Sequence, residues 1–337
     1  MTLFTISMVA IAACQSPTEQ STNHRSSDIS TNCRFIDHRM GKTEVCGQPQ
    51  RIVVLGPYLL EPLLALGIQP VGYADHEAFH QGDFTEPSQQ IPYLGSRITQ
   101  PLVNVGSADN PSLEAMLKIQ PDLILSADDE NRAQYQTFST IAPTLILQYD
   151  QVEENLKTLA QAVNRPERSE QLLTKVEQQV IAARQALAPV VDASPNVLLL
   201  HSQFPDLYLG NDRLDNCSDI LKALGFQFLY PPGFENTAPR IPISLEILPQ
   251  FNAADLIVMV GRDHGGIKQL SSTNHFEESQ LSKIKQDWEG NAIAQSLTAS
   301  QAGKVYFIPY YLCMTLPGPI GTELYLEELK EQLLGRS

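Results

Sequence analysis

Residues 166–189 read PERSEQLLTKVEQQVIAARQALAP. Pro166 suits the first turn of a helix, where its missing N–H leaves nothing unpaired, and Glu167 and Glu170 complement the positive end of the helix dipole. Leu172, Val176, Val180, Ala183 and Leu187 recur at steps of three or four, which is one helical face, and Pro189 closes the run. The pattern predicts one helix of about 23 residues, or about 35 Å at 1.5 Å per residue. A stiff connection of this length between two folded units is a strut. It fixes their separation, whereas a Gly/Ser linker would leave them free to hinge.

On both sides of the strut, short β-branched or Leu-rich runs alternate with helical stretches, the mark of parallel sheets covered by helices. Before it come Arg51-Ile52-Val53-Val54-Leu55, Val71-Gly72-Tyr73, Asp122-Leu123-Ile124-Leu125 and Thr144-Leu145-Ile146-Leu147. After it come Asn196-Val197-Leu198-Leu199-Leu200, Gln227-Phe228-Leu229-Tyr230, Asp255 to Val260 and Lys304-Val305-Tyr306-Phe307-Ile308. The expected architecture is α/β: two Rossmann-like lobes with parallel sheets, at 33–150 and 190–337, joined through a helical region at 151–189 that holds the bridging helix. A chain of 337 residues is long enough for two such cores.

The two units share an internal repeat. Ser112-Leu113-Glu114 leads into Pro121-Asp122-Leu123-Ile124-Leu125, and Ser244-Leu245-Glu246 leads into Ala254-Asp255-Leu256-Ile257-Val258. In each copy Ser is placed to cap a short helix with Glu in its first turn. One such Glu is a helix-dipole partner worth about 0.3–1 kcal/mol. Two in matched positions suggest equivalent exposed carboxylates with a shared partner.

Lys and Arg number 23 against 38 Asp and Glu, a net charge of −15. A surface this acidic is repelled by a phosphate backbone, which argues against nucleic acid as a partner. No nucleophile elbow, phosphate-binding loop or dinucleotide fingerprint is present, so no enzymatic activity is expected. Asp128-Asp129-Glu130 reads as a solvated loop.

Residues 1–14 form a short apolar segment ending at Cys14, and 15–32 are Ser-, Thr-, Asn- and Gln-rich, suited to a flexible tether. Ile11-Ala12-Ala13-Cys14 resembles the lipobox of bacterial lipoproteins, although the usual basic residues before the apolar segment are missing. Cys33 and Cys46 flank an alternating segment with Gly41 at its middle, which could be a hairpin closed by a disulfide. Cys217 and Cys313 either pair or remain buried thiols.

The order of these features resembles the substrate-binding lipoproteins of bacterial ABC importers whose two lobes are bridged by one long helix. The carriers are Gln48 to Leu55, Leu60-Glu61-Pro62-Leu63-Leu64-Ala65-Leu66-Gly67, Pro70-Val71-Gly72, the two Ser-Leu-Glu units, Asn164 to Arg168, Leu221-Lys222-Ala223-Leu224-Gly225 and Gly318 to Glu323. Cys33-Arg34 with His38 and Gly41 is similar to the iron-siderophore branch. The resemblance implies a class III periplasmic binding protein, monomeric, in the periplasm and anchored to the membrane by lipid on Cys14. It implies a ferric siderophore as ligand, with iron carried inside the chelate and no cofactor of the protein's own. It also implies docking of Glu114 and Glu246 on arginines of an ABC permease dimer that works with its ATPase. Haem or cobalamin in the same fold is the alternative.

Ligands of open α/β sheets sit beyond the carboxyl ends of the strands. Near those ends lie Tyr58, Arg97, Phe204, Tyr208, Arg240, Arg262, Tyr311 and Met314. Arg forks take anionic chelate oxygens, and Tyr offers both a ring face and a hydroxyl. For haem an axial ligand could come from Tyr58, His76 or His201. His76 and His80 have a spacing that could place two imidazoles on one helical face, the basis of a competing divalent-metal reading.

Overall fold

The computed structural model describes residues 32–75, 85–149, 151–203, 206–210, 216–231, 241–263 and 275–335. The chain from Cys33 onward forms one compact unit. It opens with the hairpin β1 (Cys33–His38) and β2 (Gly41–Cys46), turned at Arg39-Met40 and followed by Gly41, whose φ of 119° favours glycine. The register puts Cys33 opposite Cys46, and the two form a disulfide. Arg34 pins the hairpin down. Its guanidinium donates to the carbonyls of Gln161 and Gly47, each at 2.6 Å, and to that of Ala162. Gln161 and Ala162 lie at the end of the helix Val152–Ala162, where carbonyls are left over and a cation is favoured.

The first sheet contains β3 (Ile52–Leu55), β4 (Gly72–Asp75), β5 (Val103–Ser107), β6 (Asn110–Pro111), β7 (Leu123–Ala127) and β8 (Thr144–Leu147), ordered β6-β5-β4-β3-β7-β8. All pairings are parallel except the β5/β6 hairpin. The second contains β9 (Asn196–Gln203), β10 (Asp206–Leu209), β11 (Gln227–Phe228), β12 (Ile241–Pro242), β13 (Leu256–Gly261) and β14 (Val305–Pro309), ordered β12-β10-β9-β13-β14 with β11 also on β9. Its four parallel strands are β9, β11, β13 and β14. The central strands β3 and β13 are buried at every residue, which is why they read as unbroken apolar runs. Strand β5 escapes a sequence reading because Asn104 and Gly106 break its alternation and most of it is only partly buried.

The internal repeat has a structural meaning that its letters do not announce. Asp122, just before β7, accepts from the amides of Gln50 at 2.7 Å and Arg51 at 2.9 Å, while Asp255, just before β13, accepts from the Asn196 amide at 2.9 Å. Asp122 thus staples the start of β7 to that of β3, and Asp255 the start of β13 to that of β9. The Ser positions differ, and here the expectation of two matching caps is corrected. Ser112 Oγ accepts from the Ala115 amide at 3.3 Å and caps the α-helix Leu113–Ile119. Ser244 makes no such bond, and Leu245–Phe251 is a 3-10 helix. Pro249 explains the difference: it has no N–H to give the Leu245 carbonyl, so the α-helical ladder cannot start.

The bridging helix is longer than expected, Pro166–Ala193, 28 residues, or about 42 Å. Pro189 lies inside it instead of ending it. The last turns are held by packing: Leu187 is fully buried, with Val190 and Val191 beside it on the second core. Leu172 of the same helix belongs to the first core. A second helix makes the same crossing. In Pro319–Leu334, Ile320 packs into the first core and Tyr325, Leu326, Leu329 and Leu333 into the second. Cys217 and Cys313 are joined by a disulfide between the helix Asn216–Leu224 and the turn after β14, which settles the alternative left open above. The Asp128 side chain is 13% exposed and pairs with Arg39 at 3.0 Å, so the acidic run does not begin as a solvated loop.

Candidate functional site

The order of strands reverses between β3 and β7 in the first sheet and between β9 and β13 in the second. Loops at such reversals splay apart and leave a crevice at the carboxyl ends of the strands. In the first sheet that edge carries the start of the helix Pro57–Ala65, Asp75 and the segment after Leu147. In the second it carries Arg262 and Tyr310-Tyr311.

Tyr58 follows β3 directly but is only 4% exposed. Its hydroxyl lies 2.7 Å from the Tyr149 carbonyl and 3.0 Å from that of Gln148, and accepts from Asn155 Nδ2 at 2.9 Å. The ring meets Tyr149 edge-on at 4.5 Å. Tyr58 thus ties the ends of β3 and β8 together. Arg262 follows β13, its amide bonded to the Ser202 carbonyl at 2.9 Å and its guanidinium 5.6 Å from the Tyr310 ring. A cation held over an aromatic face at a strand end is a fitting seat for an anionic oxygen ligand. Tyr208 lies on β10 opposite His201, half-buried, and His201 itself is buried. Met314 is half-buried against the second core. Phe204, Arg240, His76, His80 and Cys14 lie outside the described residues.

Tyr311 is 2% exposed and meets Phe276 edge-on at 5.0 Å and Tyr93 at 5.7 Å. Tyr93 and Phe276 also stand 5.8 Å apart, closing an aromatic triad. Tyr93 comes from the segment before Arg97, in the first half of the chain, so the triad joins the two halves. Burial and the neighbouring carboxylates of Glu277 and Glu328 push the Tyr93 phenol well up, so it stays protonated. Burial, then Glu328 and Glu331, push Glu277 up in turn. Arg97 is exposed and acts on Glu61 and Glu323, at the joint between the halves. Sequence reasoning missed Tyr93, Phe276 and Glu61. Only Glu61 left a signal, as the sole acid in an otherwise apolar run.

Glu114 and Glu246 both lie in the first turn of the helix leading into β7 or β13. Glu114 is 80% exposed at its side chain, with Lys118 at 2.7 Å. Glu246 is exposed, and the Ser244 hydroxyl holds its carboxyl below the usual range. Beside them Leu113 and Leu245 are exposed as well, so each half presents the same Leu-Glu pair to solvent. Among the described residues, the one grouping of three metal-type ligands is Cys33, Glu44 and Cys46, and its two sulfurs are spent in the disulfide. No helix among the described residues is long and apolar enough to cross a membrane.

Two α/β halves, each with a strand-order reversal in its sheet, crossed by the long helices Pro166–Ala193 and Pro319–Leu334, define the fold of a two-lobed binding protein. The chain belongs to the periplasmic binding protein family, whose model matches residues 52–312. It is 26% identical over 311 residues to the Fe(3+)-citrate-binding protein YfmC of Bacillus subtilis, covering 91% of this chain and 87% of that one. It is also 26% identical over 259 residues to the Fe(3+) dicitrate-binding periplasmic protein FecB of Escherichia coli, covering 76% of each. The crystal structure of Staphylococcus aureus SirA complexed with staphyloferrin B shares the fold, with TM-score 0.67, 23% identity and coverage of 90% of this chain and 100% of that one.

Proposed function

We propose that this protein is the solute-binding component of an ABC importer, that it captures a ferric siderophore in the crevice between its halves, and that it delivers the chelate to a permease dimer driven by an ATPase. The observation that carries the reading is the Arg262–Tyr310 pair at the β13 and β14 ends, set in a fold whose relatives bind ferric citrate. A guanidinium over an aromatic ring suits a large anionic chelate and does not suit a bare cation. The iron is cargo inside the ligand; the protein binds and releases it without chemistry of its own. Arg97, Arg262, Tyr208 and Met314 are the described candidates for ligand contact, with Phe204 and Arg240 joining them from the sequence. Tyr58 and Tyr311, buried and engaged with other residues, support the walls.

Native mass spectrometry with ferric citrate, ferric hydroxamates and ferric catecholates, set against haem, cobalamin, Zn(II) and Mn(II), tests this. One ferric chelate is expected to bind at one per chain, with Arg262→Ala weakening it at least tenfold. Tight binding of the bare divalent ion, lost in the His76→Ala, His80→Ala protein, would overturn the reading, and haem or cobalamin outcompeting every chelate would replace the ligand.

We place the protein in the periplasm as a monomer, held to a bacterial membrane by lipid on Cys14. One acylated cysteine supplies all the covalent lipid, so Cys14→Ser is expected to move the protein from the membrane to the soluble fraction. Unchanged membrane retention on fractionation would refute the anchor.

A further inference from the structure

The helix Pro319–Leu334 begins at Gly318, which has no side chain to cap it. The first amides of a helix need partners, and here a partner comes from the other half of the molecule. Glu61, on the helix Pro57–Ala65, is fully buried, and its Oε1 accepts from the Ile320 amide at 2.5 Å across 259 residues of sequence. The amides of Gly318 and Gly321 also act on the carboxyl. The fit is tight: a Cβ at Gly318 would lie 1.9 Å from Glu61 Oε2. The surroundings are apolar, with Leu60, Leu316 and Ile320 in the same core. The charged group that acts on Glu61 is Arg97, from the turn Gly95–Arg97; it acts as well on Glu323, which Lys175 of the bridging helix pairs at 2.7 Å.

We infer that Glu61 is a positioning residue, the clasp of the two halves: a side chain of the first α/β unit that caps the helix crossing into the second, and so fixes how the crevice between them is held. Its effect on the ligand rests on the function proposed above; the clasp itself does not. No motif marks such a cap, because donor and acceptor lie at opposite ends of the chain.

Burial raises the Glu61 pKa to about 7 against the pull of the three amides and Arg97. An unfolded glutamate titrates near 4.5. Between these values the folded chain keeps a proton that the unfolded chain has released, so this group's contribution to stability falls as pH rises through that window and levels off above it.

Glu61→Gln keeps the acceptor for Ile320 and removes the titration. Melting curves of the full chain are expected to agree with the wild type near pH 5 and to separate towards pH 8, with the variant melting several degrees higher. Glu61→Leu removes the cap at every pH and is expected to lower the melting temperature and to speed dissociation of ferric citrate, or of whichever ferric chelate the screen identifies, at least tenfold. Gly318→Ala, which drives a methyl into the carboxyl, should act in the same direction. A Gln-to-wild-type difference that is constant from pH 5 to pH 8 overturns the proposal, as does a Leu variant with unchanged melting. If no ferric chelate binds the wild type, the functional reading fails while the melting curves still decide the clasp.

Discussion

Replacing Glu114 and Glu246 together by alanine is expected to abolish cellular iron uptake while leaving ligand affinity near that of the wild type. Both carboxylates are exposed, each stands beside an exposed leucine, and neither belongs to a core. Their matched positions ahead of β7 and β13 offer two similar anionic contacts, which docking on the permease dimer proposed above would use. Removing one partner of a charge pair desolvated at an interface costs about 2–5 kcal/mol, much of it from the arginine left unpaired, so losing both should reduce productive docking by several orders of magnitude. The competing role is local. Glu114 has its ion pair with Lys118 and Glu246 its bond from Ser244, contacts on an exposed surface that contribute little. If that were their whole purpose, the double variant would melt slightly lower and still transport. Measuring melting temperature, chelate affinity and uptake on the same protein separates the cases, and retained uptake rules out docking through this pair.

Breaking the Cys217–Cys313 disulfide should produce the largest loss of stability. It closes a span of 96 residues, against 13 for Cys33–Cys46. In the chain-entropy account a loop near 100 residues gains about 4.7 kcal/mol and one near 15 about 3 kcal/mol. The longer bridge also joins two elements of one core, with both cysteines fully buried, whereas the shorter one closes a hairpin already held by its strand pairing and by Arg34. Cys217→Ala with Cys313→Ala is expected to lower the melting temperature by roughly 5–10 °C. Cys33→Ala with Cys46→Ala should cost less. Reducing the wild-type protein before melting distinguishes the crosslink from the cavities that alanine leaves. A reduced protein that melts like the oxidised one would show that the bridge contributes nothing.

The candidate site was legible in the sequence only in part. Arg262 and Tyr58 stand out in the sequence because they follow apolar strands, and both do; but Tyr58 is enclosed, its hydroxyl engaged by the β8 end and by Asn155. Position after a strand identifies the edge of the sheet, not the direction in which a side chain points. Tyr93 and Phe276 were invisible because their partnership spans distant segments and neither lies in a repeating pattern.

Local periodicity in the chain marks most elements of this fold. Apolar runs buried on both faces marked most of the parallel strands, the three-and-four spacing from Leu172 to Leu187 marked the bridging helix, and Gly41 between Cys33 and Cys46 marked the hairpin. These signals are local because each element must present its own apolar face to the core. Tertiary structure alone decided what depends on residues far apart in the chain. It carried the long helix past Pro189, since packing of Leu187, Val190 and Val191 outweighs one missing hydrogen bond. It paired Cys217 with Cys313, and it placed Glu61 on the Ile320 amide, where a helix end supplies a buried carboxyl with a hydrogen bond that water would otherwise have given.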